Sequence, residues 1–261
     1  MTATIVIRRI SKTFASRSGI REVLRPVDLE IETGEFVAFV GPSGCGKSTL
    51  LNIIAGLIPA SSGEILYCGK QVTSANTSVG YMTQADSLLP WRTADDNIQL
   101  PLILRGVPAI ERRERVAELL KAVGLEGFGT SFPNELSGGM RKRVALAQVL
   151  AYDPKTILMD EPFGALDAQL KLVMQNELAR IQDRSKKTIV FVTHDLGEAI
   201  ALADRIVIFS ARPGKVKAIE QIDIPRPRDI FRIRFDQRYQ ALYEKLWDLL
   251  APEIVEEHHV R

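Results

Sequence analysis

The sequence is poor in cysteine, in histidine and in long apolar runs. Its two cysteines, Cys45 and Cys68, are far apart, and two of its three histidines are the adjacent pair His258-His259. This spacing does not match a cysteine–histidine metal site, and so few cysteines indicate a reducing compartment without structural disulfides. No apolar run approaches the ~18–20 residues that span a bilayer. Arg8-Arg9 interrupts the short apolar start, so no signal peptide is predicted and we expect a soluble, cytoplasmic chain.

An excess of charge of one sign is also absent. The chain has 34 basic and 32 acidic residues, which argues against a dominant nucleic-acid surface. At 261 residues it is long enough to bury a sizeable core and to form one domain with a subdomain.

The most informative segment present is residues 41–49, which read Gly-Pro-Ser-Gly-Cys-Gly-Lys-Ser-Thr. It lies between a strand-like apolar run, Phe36–Val40, and apolar residues at helical spacing from Leu50 to Leu57. This is the context of a loop whose backbone N–H groups bind nucleotide phosphates at a helix N-terminus. A glycine-rich turn without a ligand is the alternative. The pattern predicts nucleotide contacts from Gly41, Ser43, Gly44, Cys45, Gly46, Lys47, Ser48 and Thr49, with Lys47 at the β- and γ-phosphates and Ser48 on Mg²⁺.

Two carboxylates, Asp160 and Glu161, follow a second strand-like run, Thr156–Met159. Adjacent residues on an extended strand face opposite ways, so the two carboxylates are expected to have separate roles. Asp160 suits the Mg²⁺ shell and Glu161 suits a general base that polarises the attacking water. A solvated strand end is the alternative, and the position downstream of the phosphate-binding loop favours the catalytic interpretation.

Two further segments point to phosphate chemistry. His194 follows the strand-like Ile189–Thr193, which predicts a place at the same sheet edge as Glu161; a structural histidine is the alternative. Leu136-Ser137-Gly138-Gly139 precedes a helical pattern over 141–150, in which Ser137 is a good N-cap and the glycines expose the helix N-terminus to a second anion. An ordinary helix cap remains the alternative for this segment.

Together these motifs resemble the ATP-binding cassette (ABC) ATPases across nearly the whole chain. The resemblance rests on residues 41–49, Gln84, residues 136–140, Asp160-Glu161, the Ala-Leu-Asp run at 165–167 and His194. It implies an α/β P-loop NTPase core with an antiparallel β subdomain and an inserted helical subdomain. The expected boundaries are 1–88 and 155–222 for the two parts of the ATP-binding core, 89–154 for the helical subdomain and 223–261 for a C-terminal helical extension.

The resemblance also assigns roles to single residues. In this family ATP lies between two subunits, so Ser137, Gly138 and Gly139 would contact the nucleotide held by a second copy of the chain. Gln84 would join the catalytic water and the Mg²⁺ shell, and His194 would hold the γ-phosphate. Asp167 would couple the two sites. Phe14 would stack on the adenine ring, and the alternative for Phe14 is an aromatic residue packed at a strand end. Met140 stands where many members have Gln and cannot donate a hydrogen bond.

The resemblance implies the ATP-hydrolysing subunit of an importer, with ATP and Mg²⁺ bound. The expected partners are integral-membrane permease subunits, a second copy of the chain and, indirectly, a periplasmic or lipid-anchored solute-binding protein, with no nucleic acid. The subunit would sit on the cytoplasmic face of the inner membrane, held by the permease. The nitrate/sulfonate/taurine branch is indicated by residues 88–91, Met140, 160–167 and 212–215. A non-transport ABC ATPase acting on nucleic acid or ribosomes, and a regulatory module without turnover, are the alternatives.

The pattern elsewhere predicts the surrounding elements. Helices are expected from Thr93 to Leu104, over Ala109–Val123 and over Phe235–Leu250, and short strands at Ile5–Ile7 and Asp28–Ile31. The loop Leu88-Leu89-Pro90-Trp91 is predicted either to pack in the core or to form a docking surface for a permease.

Overall fold

The computed structural model describes residues 3–16, 19–85, 87–164 and 166–259, so Ala165 of the predicted 165–167 run lies outside the described residues. The strands are β1 (Ala3–Ser16), β2 (Gly19–Glu32), β3 (Phe36–Val40), β4 (Ser62–Tyr67), β5 (Lys70–Gln71), β6 (Val79–Met82), β7 (Thr156–Asp160), β8 (Thr188–Thr193), β9 (Arg205–Phe209) and β10 (Val216–Gln221). The helices are α1 (Lys47–Ile54), α2 (Ala94–Leu104), α3 (Ala109–Ala122), α4 (Gly138–Ala151), α5 (Ala168–Ser185), α6 (Leu196–Leu202) and α7 (Gln237–His259).

A six-stranded sheet in the order β10-β9-β3-β8-β7-β6 forms the centre of the fold. All of its strand pairs are parallel except β9 with β10. In the register, Val40 lies opposite Thr193, and Asp160 lies opposite Val192. Strands β3, β7 and β8 therefore end at the same edge, where ligands of open parallel sheets bind.

Strand β3 is buried on both faces, which explains its unbroken apolar sequence. Phe36, Ala38 and Val40 join the apolar cluster formed with helices α2 to α7. Val37 and Phe39 join a second cluster, which contains α1 and the inner face of the other sheet. Successive side chains of β3 point to opposite faces of the sheet, so this one strand contributes to both apolar clusters.

A second sheet, in the order β2-β1-β4-β5, is antiparallel throughout. The predicted strands Ile5–Ile7 and Asp28–Ile31 are parts of the much longer β1 and β2, which pair as a hairpin. The short predictions were wrong about length because the outer ends of the hairpin are exposed and mix polar with apolar residues, so a clear apolar alternation marks only the buried ends. The strands β5 and β10 were not predicted.

Helices α2, α3 and α4 lie between β6 and β7 in the chain and pack on one another. The predicted cap is confirmed, since the Thr93 side chain accepts a hydrogen bond from Asp96 N–H at 3.2 Å. Helix α3 ends at Ala122, and Gly124 follows with a φ of +64°, a conformation that favours glycine.

The C-terminal segment packs against the central core. Leu246 and Leu250 of α7 are buried there, and α7 lies against α6. Arg228 is itself buried and donates to the carbonyl oxygens of Ile200, Ala201 and Ala203 at the end of α6. These bonds satisfy helix carbonyls that would otherwise have no partner. Within the described residues, none of the helices has both the length and the apolar character required to cross a membrane.

Candidate functional site

The glycine-rich loop between β3 and α1 wraps around its own lysine. Gly46 has a φ of +102° and places Lys47 as the first residue of α1. The Lys47 side chain is buried, and its Nζ donates to the carbonyl oxygens of Gly41 and Pro42, both at 2.7 Å. The loop therefore holds a cation at the N-terminus of a helix, which is the arrangement that attracts phosphate groups.

Asp160 is the last residue of β7 and faces this loop. Ser48 Oγ donates to Asp160 Oδ1 at 2.8 Å. Burial raises the pKa of the Asp160 carboxyl, with a further upward contribution from the charge of Glu161 and an opposing one from the Ser48 hydrogen bond. The pKa of Tyr81 is also raised, first by burial and then by the Asp160 charge. The negative charge of Asp160 is thus poorly solvated, and a nearby cation would stabilise it.

Glu161 leaves the strand in an uncommon backbone conformation. Its φ is +45°, in the left-handed region, and its N–H donates to Val192 O of β8 at 3.0 Å. The carboxylate accepts from Gln84 Nε2 at 3.3 Å, and His194 Nδ1 lies 3.4 Å from its other oxygen. The predicted catalytic residues Glu161, Gln84 and His194 are therefore in contact, although they are far apart in the sequence.

A cleft of about 990 Å³ opens in front of these groups. Its lining combines the phosphate-binding loop, the Gln84–Glu161–His194 group and the outer end of the β1–β2 hairpin; the lining residues are Phe14, Gly19, Ile20, Arg21, Val23, Ser43, Gly44, Gly46, Lys47, Ser48, Thr49, Gln84, Glu161, His194 and Arg212. Gly41 and Cys45 of the same loop are buried and do not line the cleft. Burial raises the pKa of the Cys45 thiol, and Lys47 partly opposes that shift.

Phe14 occupies the hairpin side of the cleft, where the sequence predicts adenine stacking. Its ring is 42% exposed, and Lys12 Nζ lies 4.9 Å from the ring centroid. The position of Phe14 in the cleft agrees with a stacking role, because a flat apolar ring face is all that stacking requires.

The second predicted phosphate-binding segment lies outside this cleft. Ser137 caps α4, accepting from Met140 N–H at 3.2 Å, and Gly138 and Gly139 form its first turn. A Cβ on Gly139 would lie 2.2 Å from Leu170 Cδ2, so a side chain there would force the Leu170 side chain to move. Asp167 caps α5 through bonds from Gln169 N–H and Leu170 N–H. One copy of the chain therefore does not bring these residues to its own Lys47.

The donors at the sheet edge suit a hard cation such as Mg²⁺. Ser48 and Asp160 offer a hydroxyl and a carboxylate, and Gln84 an amide, which are the hard oxygen ligands that Mg²⁺ prefers. Across the described parts of the chain, no group of three or more His, Cys, Asp or Glu side chains could hold a metal ion. In nucleotide sites, Mg²⁺ is usually bound by only a few protein oxygens, and phosphate oxygens and water complete its coordination shell.

Several lining residues were missed by sequence reasoning. Ile20 and Arg21 reach the cleft only because β2 pairs with β1, where Arg21 lies opposite Phe14. Arg212 reaches it from the turn after β9. Lys142 of α4 does not line the cleft, but it donates to the Gln84 carbonyl oxygen and so contacts a predicted catalytic residue. A local motif search has no signal for these residues, since each depends on a contact across the fold.

Comparisons with known proteins agree with this geometry. A family described as ABC transporter matches residues 24–164. An uncharacterized ABC transporter ATP-binding protein of Methanocaldococcus jannaschii is 44% identical over 98% of this chain and 94% of its own length. An aliphatic sulfonates import ATP-binding protein, SsuB, of Bacillus cereus is 44% identical over 86% of this chain and 88% of its own.

Solved structures give the same result. The ATP-binding cassette MJ0796, solved as a dimer bound to ADP and Pi, superposes with a TM-score of 0.77 at 35% identity, over 85% of this chain and 100% of that one. The family match and the sequence relatives show that this chain belongs to the ABC transporter family, and the solved structure agrees with them. The α/β fold is that of the P-loop ABC ATPases, and the chain is an ATP-binding subunit whose ATP hydrolysis is coupled to transport. Cassettes of this kind form dimers.

The first prediction concerns Glu161. Because its carboxylate lies beside Gln84 and His194, we expect Glu161→Gln to bind ATP but to hydrolyse it at least ~100-fold more slowly, the usual cost of losing a general base. ATP binding and phosphate release would be measured on the purified protein. The matched control is Glu118→Gln on exposed α3. Hydrolysis within a few-fold of the unaltered protein would remove Glu161 from the role of base.

The second prediction concerns the buried charge of Asp160. Its pKa is raised in the folded state, so ionisation destabilises the fold as pH rises through the ordinary carboxyl range. Asp160→Asn keeps an oxygen for the Ser48 hydroxyl and removes the charge. We expect a higher thermal unfolding midpoint near neutral pH, with a difference that shrinks towards about pH 3.9.

Calorimetry without nucleotide or metal, over a series of pH values, measures this difference. Asp248→Asn, on an exposed position of α7, is the control and should leave the midpoint nearly unchanged. A lower midpoint for Asp160→Asn at neutral pH would contradict the assignment of Asp160 as a desolvated carboxylate.

Proposed function

We propose that this chain is the ATP-hydrolysing, energy-coupling subunit of an importer for an aliphatic sulfonate, nitrate, taurine or a similar small solute. The observation that supports this proposal is a set of relatives named aliphatic sulfonates import ATP-binding protein. They are 41% to 44% identical and match 86% to 93% of this chain. Recognition of the solute would belong to the permease and the solute-binding protein.

The nucleotide would lie between two copies of the chain. Lys47 and the loop around it would bind the phosphates from one side, and Ser137 with its two glycines would bind them from the partner. The position of Ser137 supports this arrangement, since it caps the N-terminus of α4 but is not among the residues that line the cleft around Lys47. Binding of ATP would then close the dimer, and hydrolysis would release it.

Glu161 would act as the general base for hydrolysis. Its carboxylate would accept a proton from a water whose oxygen attacks the γ-phosphorus while the bond to the β–γ bridging oxygen breaks. Gln84 and His194, which contact the two oxygens of Glu161, would orient the water and the γ-phosphate. Ser48 and Asp160 would hold Mg²⁺, which when bound neutralises charge on the phosphate oxygens.

The permease would dock beside the helical subdomain, near the loop 88–91. Leu88 is buried in the core, whereas Trp91 is 71% exposed. Buried Asn97 fixes this loop by bonding Leu89 N–H at 2.8 Å and the Leu89 and Arg92 carbonyl oxygens at 3.2 and 3.0 Å. A rigidly held, exposed tryptophan is typical of a binding hot spot. This contact would keep the subunit at the cytoplasmic face of the inner membrane.

Reconstitution tests the solute class. The chain would be purified with the membrane protein that accompanies it and placed in vesicles with the corresponding solute-binding protein. We expect ATP hydrolysis to rise several-fold with an aliphatic sulfonate such as ethanesulfonate. Stimulation of ATP hydrolysis by nitrate alone would identify nitrate, rather than a sulfonate, as the solute. Stimulation by RNA, DNA or ribosomes instead would overturn the importer proposal.

The third prediction concerns Trp91. We expect Trp91→Ala to reduce the amount of permease recovered in a pull-down by at least ~5-fold, because hot-spot tryptophans contribute more than ~1 kcal/mol. ATP binding should be unchanged, since Trp91 is not part of the cleft. Phe235→Ala removes an equally exposed aromatic far along the chain, 78% exposed, and is the control. Equal recovery of permease with both variants would rule out the 88–91 loop as the docking surface.

A further inference from the structure

The turn between β9 and β10, residues 211–215, packs directly against the phosphate-binding loop. A Cβ on Gly214 would lie only 1.8 Å from Cys45 O, so no other residue fits there without displacing the loop. Gly214 N–H donates to Val23 O at 3.0 Å, and Arg25 N–H donates to Gly214 O at 2.8 Å. The turn is therefore held against both the loop and the β1–β2 hairpin.

Arg212 extends from this turn into the nucleotide cleft. Its Nε donates to Gly44 O, and a Cβ on Gly44 would lie 1.6 Å from Arg212 Nη2. The guanidinium group thus covers the backbone of Gly44 and lines the same cleft as Lys47. Among the described residues it has no carboxylate partner, so its charge faces the cleft unneutralised.

Helix α7 fixes the backbone immediately before Arg212. Glu253 Oε2 accepts from Ala211 N–H at 2.7 Å, and Lys217 Nζ lies 2.6 Å from Glu253 Oε1. Burial alone would raise the pKa of Glu253, but the bonds from Lys217 and Ala211 outweigh it and lower that pKa. Glu253 is therefore a stable anion, and it connects the C-terminal helix to the turn that carries Arg212.

We propose that Arg212 binds the phosphate groups of the nucleotide and that Glu253 positions it from the C-terminal helix. This inference rests on the proposed nucleotide site. Both cations donate to backbone carbonyl oxygens of the phosphate-binding loop. Lys47 donates to those of Gly41 and Pro42, and Arg212 donates to that of Gly44. A phosphate oxygen is a stronger acceptor than a carbonyl, and a guanidinium is suited to bind it with two N–H groups.

The fourth prediction tests the charge of Arg212. Calorimetric titration of the full chain with MgADP would compare the unaltered protein with Arg212→Gln and Arg212→Lys. We expect Arg212→Gln to weaken binding about 10-fold and to lessen its salt dependence, and Arg212→Lys to weaken it less, because Lys keeps the charge but loses the paired N–H groups. If Arg212 only holds the loop through its hydrogen bond to Gly44, the Gln and Lys variants should bind MgADP with the same affinity. Equal affinity of the two variants, whether reduced or unchanged, would overturn the proposal.

Two further variants separate the parts of the claim. Glu253→Gln keeps an oxygen for Ala211 N–H but loses the ion pair with Lys217, so it should weaken MgADP binding by about 3-fold, the size of a weakened hydrogen bond. Unchanged affinity would overturn its positioning role. Lys47→Ala should abolish binding if the proposed site is correct. Loss of binding in Lys47→Ala together with full affinity in Arg212→Gln would overturn this inference alone, whereas full affinity in Lys47→Ala would overturn the nucleotide site itself. Unfolding midpoints measured without nucleotide show whether each variant is folded.

Discussion

The parallel pairing of β3, β7 and β8 is the constraint on which the rest of the structure depends. The register sets Val40 opposite Thr193 and Asp160 opposite Val192, so that the three strands end side by side. A slip of one residue would move apolar side chains between the two buried faces, and both faces are packed. The phosphate-binding loop, the carboxylates and His194 are therefore brought to one cleft by backbone hydrogen bonds and apolar burial rather than by contacts among themselves.

The site carries local costs that this framework must offset. Glu161 adopts a left-handed backbone conformation, which is unfavourable for a residue with a side chain, and its N–H is tied to Val192 at the strand end. Asp160 is a buried carboxylate whose ionisation is disfavoured. Strain and desolvation of this kind are usual where a protein prepares groups for charged ligands. Here the left-handed conformation of Glu161 takes the chain off the strand directly after Asp160, so the alternation expected for an extended strand does not apply to this pair.

Much of this arrangement could be predicted from short patterns. Residues 41–49, Asp160-Glu161 and His194 each follow an apolar strand, and parallel strands bring their ends together. The two arginines of the cleft could not be found in this way. Arg21 depends on hairpin pairing with β1, and Arg212 depends on how a turn after β9 packs on a distant loop. The sequence also left open whether the loop 88–91 packs in the core or forms a docking surface. In the structure Leu88 is buried in the core and Trp91 is exposed.

The central claim is that a complete site needs two copies of the chain, because Ser137 does not line the cleft that contains Lys47. The most direct measurement mixes Lys47→Ala protein with Ser137→Glu protein and follows ATP-driven association by analytical ultracentrifugation. Neither variant alone has an intact site, whereas a mixed pair has one. The account predicts that only the mixture forms dimers with ATP. No association in the mixture, or association of each variant alone as strong as that of the unaltered chain, would contradict it.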